Sequence, residues 1–468
     1  MFNDYVSMKK LDVDKILERL EQSSTFHLSL GSKELFHSNF LYWLSIVDWN
    51  AFMQVARKLA GVEQFWWEEQ YKRSDNRDEN EIEVRRESRN FDLSIHIRVE
   101  QERDEDNSSF IKSIWIPVFV LENKMKSLPR QDQLQEYTEK AFRDWKIKKK
   151  NNELQKKWEE YPISFVLLSL FVDKKFNTQC DYTYEYGRKN KKAIHVTAIW
   201  ERHNYKDLFD FLNNVELHHL SSFNQEIIKD YCQFIMALHE LAENDWKISP
   251  CNCFVETIYP WAMSNYHGDK QVQLRIDDIR QKVHYAQMEA MLKEKLNEAG
   301  IEAMYASADK ENKAQVRYNT NYAHNIGILE ISIRLKGDCA IFIQLQGHSY
   351  AHAFCYDKKD AAQELKKRRN SLKSIFDFDE LPAKTTRGFI RKTTNYPAEL
   401  QTNELFPKKE NKRAKGSLLD YKYYGKSFIY QNVLIPESVT IEHVLQAMVK
   451  DTKKCLSIKL LLSDKSAK

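Results

Sequence analysis

Along residues 33–47 the apolar positions Leu35, Phe36, Phe40, Leu41, Trp43 and Leu44 fall at mixed three- and four-residue spacings. That pattern predicts a helix with a broad apolar face or full burial. Residues 81–87 set Ile82 and Val84 between charges, as a strand does. Phe91, Leu93, Ile95, Ile97 and Val99 then alternate with Asp92, Ser94, His96 and Arg98, which predicts a second strand. Residues 100–109 are polar and mostly acidic and read as a solvated hairpin tip. Residues 114–121 are nearly continuous apolar and predict a buried strand, although Pro117 has no N–H for a central ladder. A helix is expected over 130–143, a basic loop or exposed helix over 146–157, and buried strands over 163–172 and 194–199. Helices over about 204–219 and 222–244 complete this half.

Residues 251–266, between Pro250 and Tyr266 and including Pro260, mark a change of pattern and a domain boundary. Beyond it the spacing predicts a helix over 285–299 with Gly300 as its stop, strands over 326–335 and 340–345, and a helix over 361–374. A strand over 428–434 and a helix over 441–453 follow. The second half is therefore α+β, and no internal repeat is visible. The expected division is 1–250 and 251–468.

Composition narrows the class. The chain has 468 residues, too many for one core, with 42% apolar and 12% aromatic residues to fill two. Mean hydropathy is −0.65, and the longest apolar run, 165–172, falls far short of the ~20 residues a spanning helix needs, so no membrane bundle is expected. Met1 to Lys15 has acids and no apolar stretch, so no secretory leader is expected. Seven scattered cysteines fit reduced thiols and a cytoplasmic setting. Net charge is only +4, so polyanion binding would have to come from local patches.

Asp92, Glu122 and Lys124 carry the candidate chemistry. Glu122 ends the apolar strand 114–121, and Lys124, two residues on, points from the same strand face. A carboxylate at the end of a buried strand is costly unless paired. A second carboxylate nearby adds repulsion that a Mg²⁺ ion between the two removes. Such an ion lowers the pKa of its water and stabilises charge on an attacked phosphate, with an ammonium beside it to handle the proton. Glu-x-Lys also occurs at 311–313, 364–366 and 410–412, but only the copy at 122–124 ends a buried strand preceded by an aspartate strand. Gln133 and Tyr137, four apart on the next helix, share one face.

Asp92, Glu122-Asn123-Lys124 and Gln133-x-x-x-Tyr137 together resemble the PD-(D/E)XK nuclease superfamily, most of all its RecB-like branch. The helix containing Glu34, His37, Ser38, Asn39, Phe40 and Trp43 resembles the first helix of a bacterial subfamily with an HSNFLxWL signature. The resemblance covers roughly residues 25–200. It implies a restriction-endonuclease-like α/β fold, a mixed sheet flanked by helices, followed here by the α+β C-terminal domain. It implies Mg²⁺ as cofactor, with Mn²⁺ able to substitute, held by Asp92, Glu122 and Glu34. Lys124 would assist the attacking water, and Gln133 and Tyr137 would complete the catalytic set. The implied partner is nucleic acid, DNA in the first instance, and a defence-type nuclease is the implied setting by analogy. Two departures stand out: Phe91 replaces the motif's proline, and the gap from Asp92 to Glu122 is long.

Other readings stay open. Asp92 and Glu122 fit a structural ion-pair network with Lys124 and Arg85. A catalytically idle nucleic-acid-binding protein on this fold, or a nuclease gated by a ligand-sensing C-terminal domain, fits the remaining features. So does a homodimer or a protein partner engaged through that domain. Residues 358–426 hold 18 Lys and Arg against 9 Asp and Glu, interleaved with Phe and Tyr, which suits phosphate tracking or a solvated face equally. The basic run 146–157 adjoins the candidate site. His37 and Ser38 read as buried hydrogen-bonding residues, His348 and His352 as loop histidines, and Asp277, Asp278 and His284 as surface helix residues. Cys251 and Cys253 lack a second pair at zinc spacing.

Overall fold

A computed structural model describes residues 13–32, 35–74, 79–88, 90–105, 108–124, 131–145, 163–170, 178–186, 192–217, 220–258, 270–306, 314–323, 326–335, 340–347, 349–356, 393–395, 422–423, 426–435 and 438–464. Two compact units form: Met1–Trp246 with Tyr266–Ile279, and Lys247–Asn265 with Arg280–Lys468. No helix among the described residues is long and apolar enough to cross a membrane.

The first unit opens with helices α1 (Val13–Gln22), α2 (Ser24–Ser32), α3 (Leu35–Val47) and α4 (Trp49–Ala60). Strands β1 (Ile82–Ser88), β2 (Phe91–Glu105) and β3 (Ser108–Lys124) follow, then α5 (Gln131–Trp145). Strands β4 (Ser164–Ser169), β5 (Gln179–Tyr186) and β6 (Lys192–Asn204) lead to α6 (Tyr205–Asn213) and α7 (Ser222–Glu240). The sheet order is β1-β2-β3-β4-β6-β5. β1, β2 and β3 form an antiparallel meander, β3, β4 and β6 run parallel, and β5 closes the far edge antiparallel. Parallel neighbours need a crossover, and α5 lies in the one between β3 and β4. Helix α3 packs on β1, β2 and β3, while α5 packs on β3 and β5. With helices to cover it, β2 buries its polar residues too: Ser94 and His96 are fully enclosed and share a 2.9 Å hydrogen bond.

Three readings change here. Helix α4 was not anticipated, although its stops are visible: Asp48 caps it by accepting from Ala51, and Gly61 ends it at φ 65°. Residues 100–109 are not all tip. The β2–β3 ladder continues to Glu105↔Ser108, so most of the polar stretch is strand. Pro117 is tolerated because the register shifts beside it: Ile95 pairs with Phe119 and His96 with Pro117, which leaves Val118 as the extra residue of a bulge. On the other side β4 begins its pairing only at Phe119, so no ladder bond is asked of the proline nitrogen there.

The second unit holds α8 (Phe254–Ile258) and most of α9 (Lys270–Glu298), whose end is marked by Gly300 at φ 67°. Its strands are β7 (Ala303–Tyr305), β8 (Val316–Ala323), β9 (Ile326–Arg334), β10 (Ala340–Gln346), β11 (Ser349–Tyr356), β12 (Thr393–Asn395), β13 (Lys422–Tyr423) and β14 (Lys426–Leu434), before α10 (Ile441–Asp464). They join in the order β12-β14-β11-β10-β9-β8-β7, with β13 on β14. Alternating Leu329, Ile331 and Ile333 of β9 and Ile341, Ile343 and Leu345 of β10 share one core with Tyr285, Met288 and Leu292 of α9 and Val444, Leu445 and Met448 of α10. Gly327 lies where a Cβ would collide with the Tyr285 ring, so the ring can rest on the strand backbone. His352 is not on a loop: it lies on β11, 1% exposed, with Nε2 2.8 Å from Asp451 Oδ2, which also accepts from Tyr350 Oη at 2.6 Å. Asp277 and His284 are buried rather than at the surface. His348, the expected helix 361–374, the run 146–157 and most of 358–426 lie outside the described residues.

Candidate active site

Strand alternation puts Glu122 and Lys124 on one face of β3 and Asn123 on the other. Glu122 is 1% exposed, and its Oε1 gathers two donors. Lys124 Nζ lies 2.6 Å away, and Gln133 Nε2 donates at 2.8 Å from the first turn of α5. The same amide nitrogen spends its second hydrogen on Tyr137 Oη, also at 2.8 Å. Gln133 and Tyr137 thus share a face one helical turn apart. The Tyr137 phenol is held above its ordinary value, first by burial and then by the charge of Glu122, so it keeps its proton at neutral pH. Its ring stands edge-on to Phe91, 5.8 Å away, so the phenylalanine in the proline position of the motif helps seat the phenol.

Asp92 reaches the same strand end. Its Oδ2 accepts from the Asn123 N–H at 2.7 Å, one residue beyond the Leu93↔Leu121 pair that ends the β2–β3 ladder. Asn123 Oδ1 accepts in turn from the Tyr205 hydroxyl at 2.9 Å on the opposite face. Asp92, Glu122, Lys124, Gln133 and Tyr137 are therefore connected through hydrogen bonds and one ion pair. Arg85 is not in that set: its guanidinium pairs with Glu83 at 2.6 Å and lies over the Trp115 ring. Glu34 lies outside the described residues. His37 is fully buried, with Nδ1 2.9 Å from Tyr231 Oη, and Ser38 Oγ donates to the Leu35 carbonyl.

The oxygen donors suit a hard divalent cation, which takes one or two carboxylates and fills its remaining positions with water and substrate oxygens. Among the described residues no group of three or more His, Cys, Asp or Glu gathers at one point, and Asp92 and Glu122 are the described carboxylates at this strand end.

Residues 25–233 match the family model of the PD-(D/E)XK nuclease superfamily. The matched stretch is less than half of the chain, lies within the first unit, and contains all five connected residues. The mixed sheet flanked by helices is consistent with that superfamily's fold, and the match points to nuclease chemistry for this unit. No curated protein and no solved structure matches the chain.

Proposed function

We propose that the first unit is a divalent-metal-dependent nuclease that hydrolyses phosphodiester bonds, with DNA as its substrate. The observation that carries this reading is the buried Glu122 carboxylate, shared by Lys124 and Gln133 and joined to Asp92 through Asn123, inside the segment that matches the nuclease superfamily. Asp92 and Glu122 are the residues that would hold Mg²⁺ or Mn²⁺. When bound, such an ion supplies an activated water and offsets charge on the attacked phosphate.

The protein's own groups have separable tasks. Lys124 Nζ brings a positive charge and a transferable proton to the carboxylate, on a side chain that keeps 13% of its surface exposed. Gln133 has no titratable proton and fixes Glu122 Oε1 by donating to it. Tyr137, protonated by its surroundings, anchors the amide that orients Glu122. The Gln133–Tyr137 spacing supports the RecB-like branch within the superfamily.

The test is cleavage of plasmid, linear duplex and single-stranded DNA, and of RNA, with Mg²⁺, with Mn²⁺ and with a chelator. Metal-dependent cutting of DNA is expected, abolished by Glu122→Ala and by Asp92→Ala in folded protein. Either variant cutting at the parent rate would remove these residues from the chemistry, and metal-independent cutting would overturn the mechanism.

A further inference from the structure

The residue between the two halves of the Glu-x-Lys pair is held from behind. Tyr205 is the first residue of α6, immediately after β6, and its position is set by the sheet. Lys124 pairs with Ser169 of β4, and Ser169 pairs with Asn204 of β6, so the three strand ends form one row. Asn204 then caps α6 through a reciprocal capping box with Asp207, which fixes where Tyr205 starts the helix. The Tyr205 ring is fully buried, 4.9 Å from the His37 ring, and His37 is bonded to Tyr231, which stacks on Phe40 at 3.6 Å. From this packed surround the Tyr205 hydroxyl donates to Asn123 Oδ1.

We propose that Tyr205 is a positioning residue for the acid pair: by fixing the Asn123 side chain it sets the strand end on which Glu122 and Lys124 stand and at which the Asn123 N–H meets Asp92. The inference rests on the nuclease reading of the site. Asn123 has a side-chain bond on one face of β3, while its neighbours serve the other, so rotation of this peptide displaces both halves of the motif together. It also breaks the hydrogen bond from the Asn123 N–H to Asp92. A misplacement of about 1 Å in such a site costs on the order of 10²-fold in rate.

The experiment compares Tyr205→Phe, Asn123→Ala, their double variant, and Ser45→Ala, which removes a buried hydroxyl of α3 that donates to the Tyr42 carbonyl within its own helix. Cleavage kinetics, Mn²⁺ binding to metal-free protein by calorimetry, amide hydrogen exchange at residues 122–124 and melting temperature are measured. Tyr205→Phe is expected to lower kcat by about 10–100-fold with KM for DNA nearly unchanged. Its Mn²⁺ affinity should fall and its exchange at Asn123 should quicken. The double variant should be no worse than the more impaired single one, since both act through one bond. Ser45→Ala should keep parent kcat and Mn²⁺ affinity. Parent-like kcat and Mn²⁺ affinity in Tyr205→Phe overturn the proposal, as does a kcat loss matched by Ser45→Ala at equal loss of stability. If the parent cuts no substrate, the nuclease reading falls, and the Mn²⁺ affinity of Tyr205→Phe decides alone: weaker binding than parent sustains positioning, equal binding overturns it. A parent that binds no Mn²⁺ overturns both.

Discussion

Lys124 stands at the point where burial and access meet, with its ammonium against a carboxylate that is almost completely enclosed. Its charge offsets the cost of keeping Glu122 ionised there. Lys124→Ala should slow the chemical step by about 10²–10⁴-fold, the usual worth of a positioned proton-handling group. Single-turnover cleavage at saturating Mg²⁺ measures this, and a parent-like rate would make the lysine a bystander. Gln133→Leu keeps the helix but leaves Glu122 Oε1 without its amide donor. A loss of about 1.5–3 kcal/mol in stability is expected from the lost hydrogen bond to a charged group, read by denaturant unfolding. At this scale the grouping of the candidate residues was legible because they carry type and spacing: Asp92 on an alternating strand, Glu122 and Lys124 two apart, Gln133 and Tyr137 four apart. Tyr205 was not legible. It meets Asn123 across 82 positions of sequence, and a tyrosine at a strand-to-helix junction shows no local pattern of its own.

Elements were readable wherever burial on one side imposed a period. The expected strands at 81–87, 91–99, 326–335 and 340–345 all appear as β1, β2, β9 and β10. β5 was missed although Cys180, Tyr182 and Tyr184 alternate, because its polar neighbours resemble a loop. β8 and β11 were missed for a different reason: Asn, Thr, His and Ala occupy positions that face a helix layer or a neighbouring strand, so local hydropathy gives no alternation. His352 shows the effect, being a core residue whose polarity is satisfied by Asp451 on an element almost a hundred residues later. Gly327 is a further element-scale feature. Gly327→Ala should destabilise the second unit by about 1–3 kcal/mol, since overpacking forces the Tyr285 ring off its seat on β9. Thermal melting should show it, and Gly327→Ala combined with Tyr285→Leu should recover part of the loss.

For the molecule as a whole, buried carboxylates differ in the company they keep. The first unit surrounds a buried carboxylate with a cation and donors. The second buries Glu330, 8% exposed, with a single Gln344 hydrogen bond at 2.9 Å, and burial pushes its carboxyl up to about 7. Glu289, bonded by Thr320, is pushed up to about 7 for the same reason. The folded state therefore binds these protons more tightly than the unfolded chain, whose carboxyls titrate near 4.5. Their contribution is fully present below about pH 4.5 and is lost as pH rises through about 7. The second unit should lose stability between pH 5 and pH 8. Glu330→Gln should flatten that dependence, with a gain at pH 8 of at most roughly 3 kcal/mol and little change at pH 4. Melting curves across that range decide it, and an unchanged slope would mean that the carboxyl is ionised in the fold throughout.

The long hairpin also separates distance along the chain from distance in space. Asp92 and Glu122 lie at the base of a ladder that runs from Leu93↔Leu121 to Glu105↔Ser108, interrupted only by the bulge at Val118. Beyond Ile97 the β1 ladder has ended, and before Phe119 the β4 ladder has not begun, so the outer part of the hairpin is a two-stranded ribbon. The covalent connection between the two carboxylates passes through the far end of that ribbon, while their juxtaposition is enforced at the near end by β1, β4 and the helices over them. Two fragments, one ending with β2 at Glu105 and one beginning with β3 at Ser108, should therefore assemble when co-expressed, as their co-purification would show. Reassembly of those fragments would rebuild the candidate acid pair from halves that each carry one of its carboxylates.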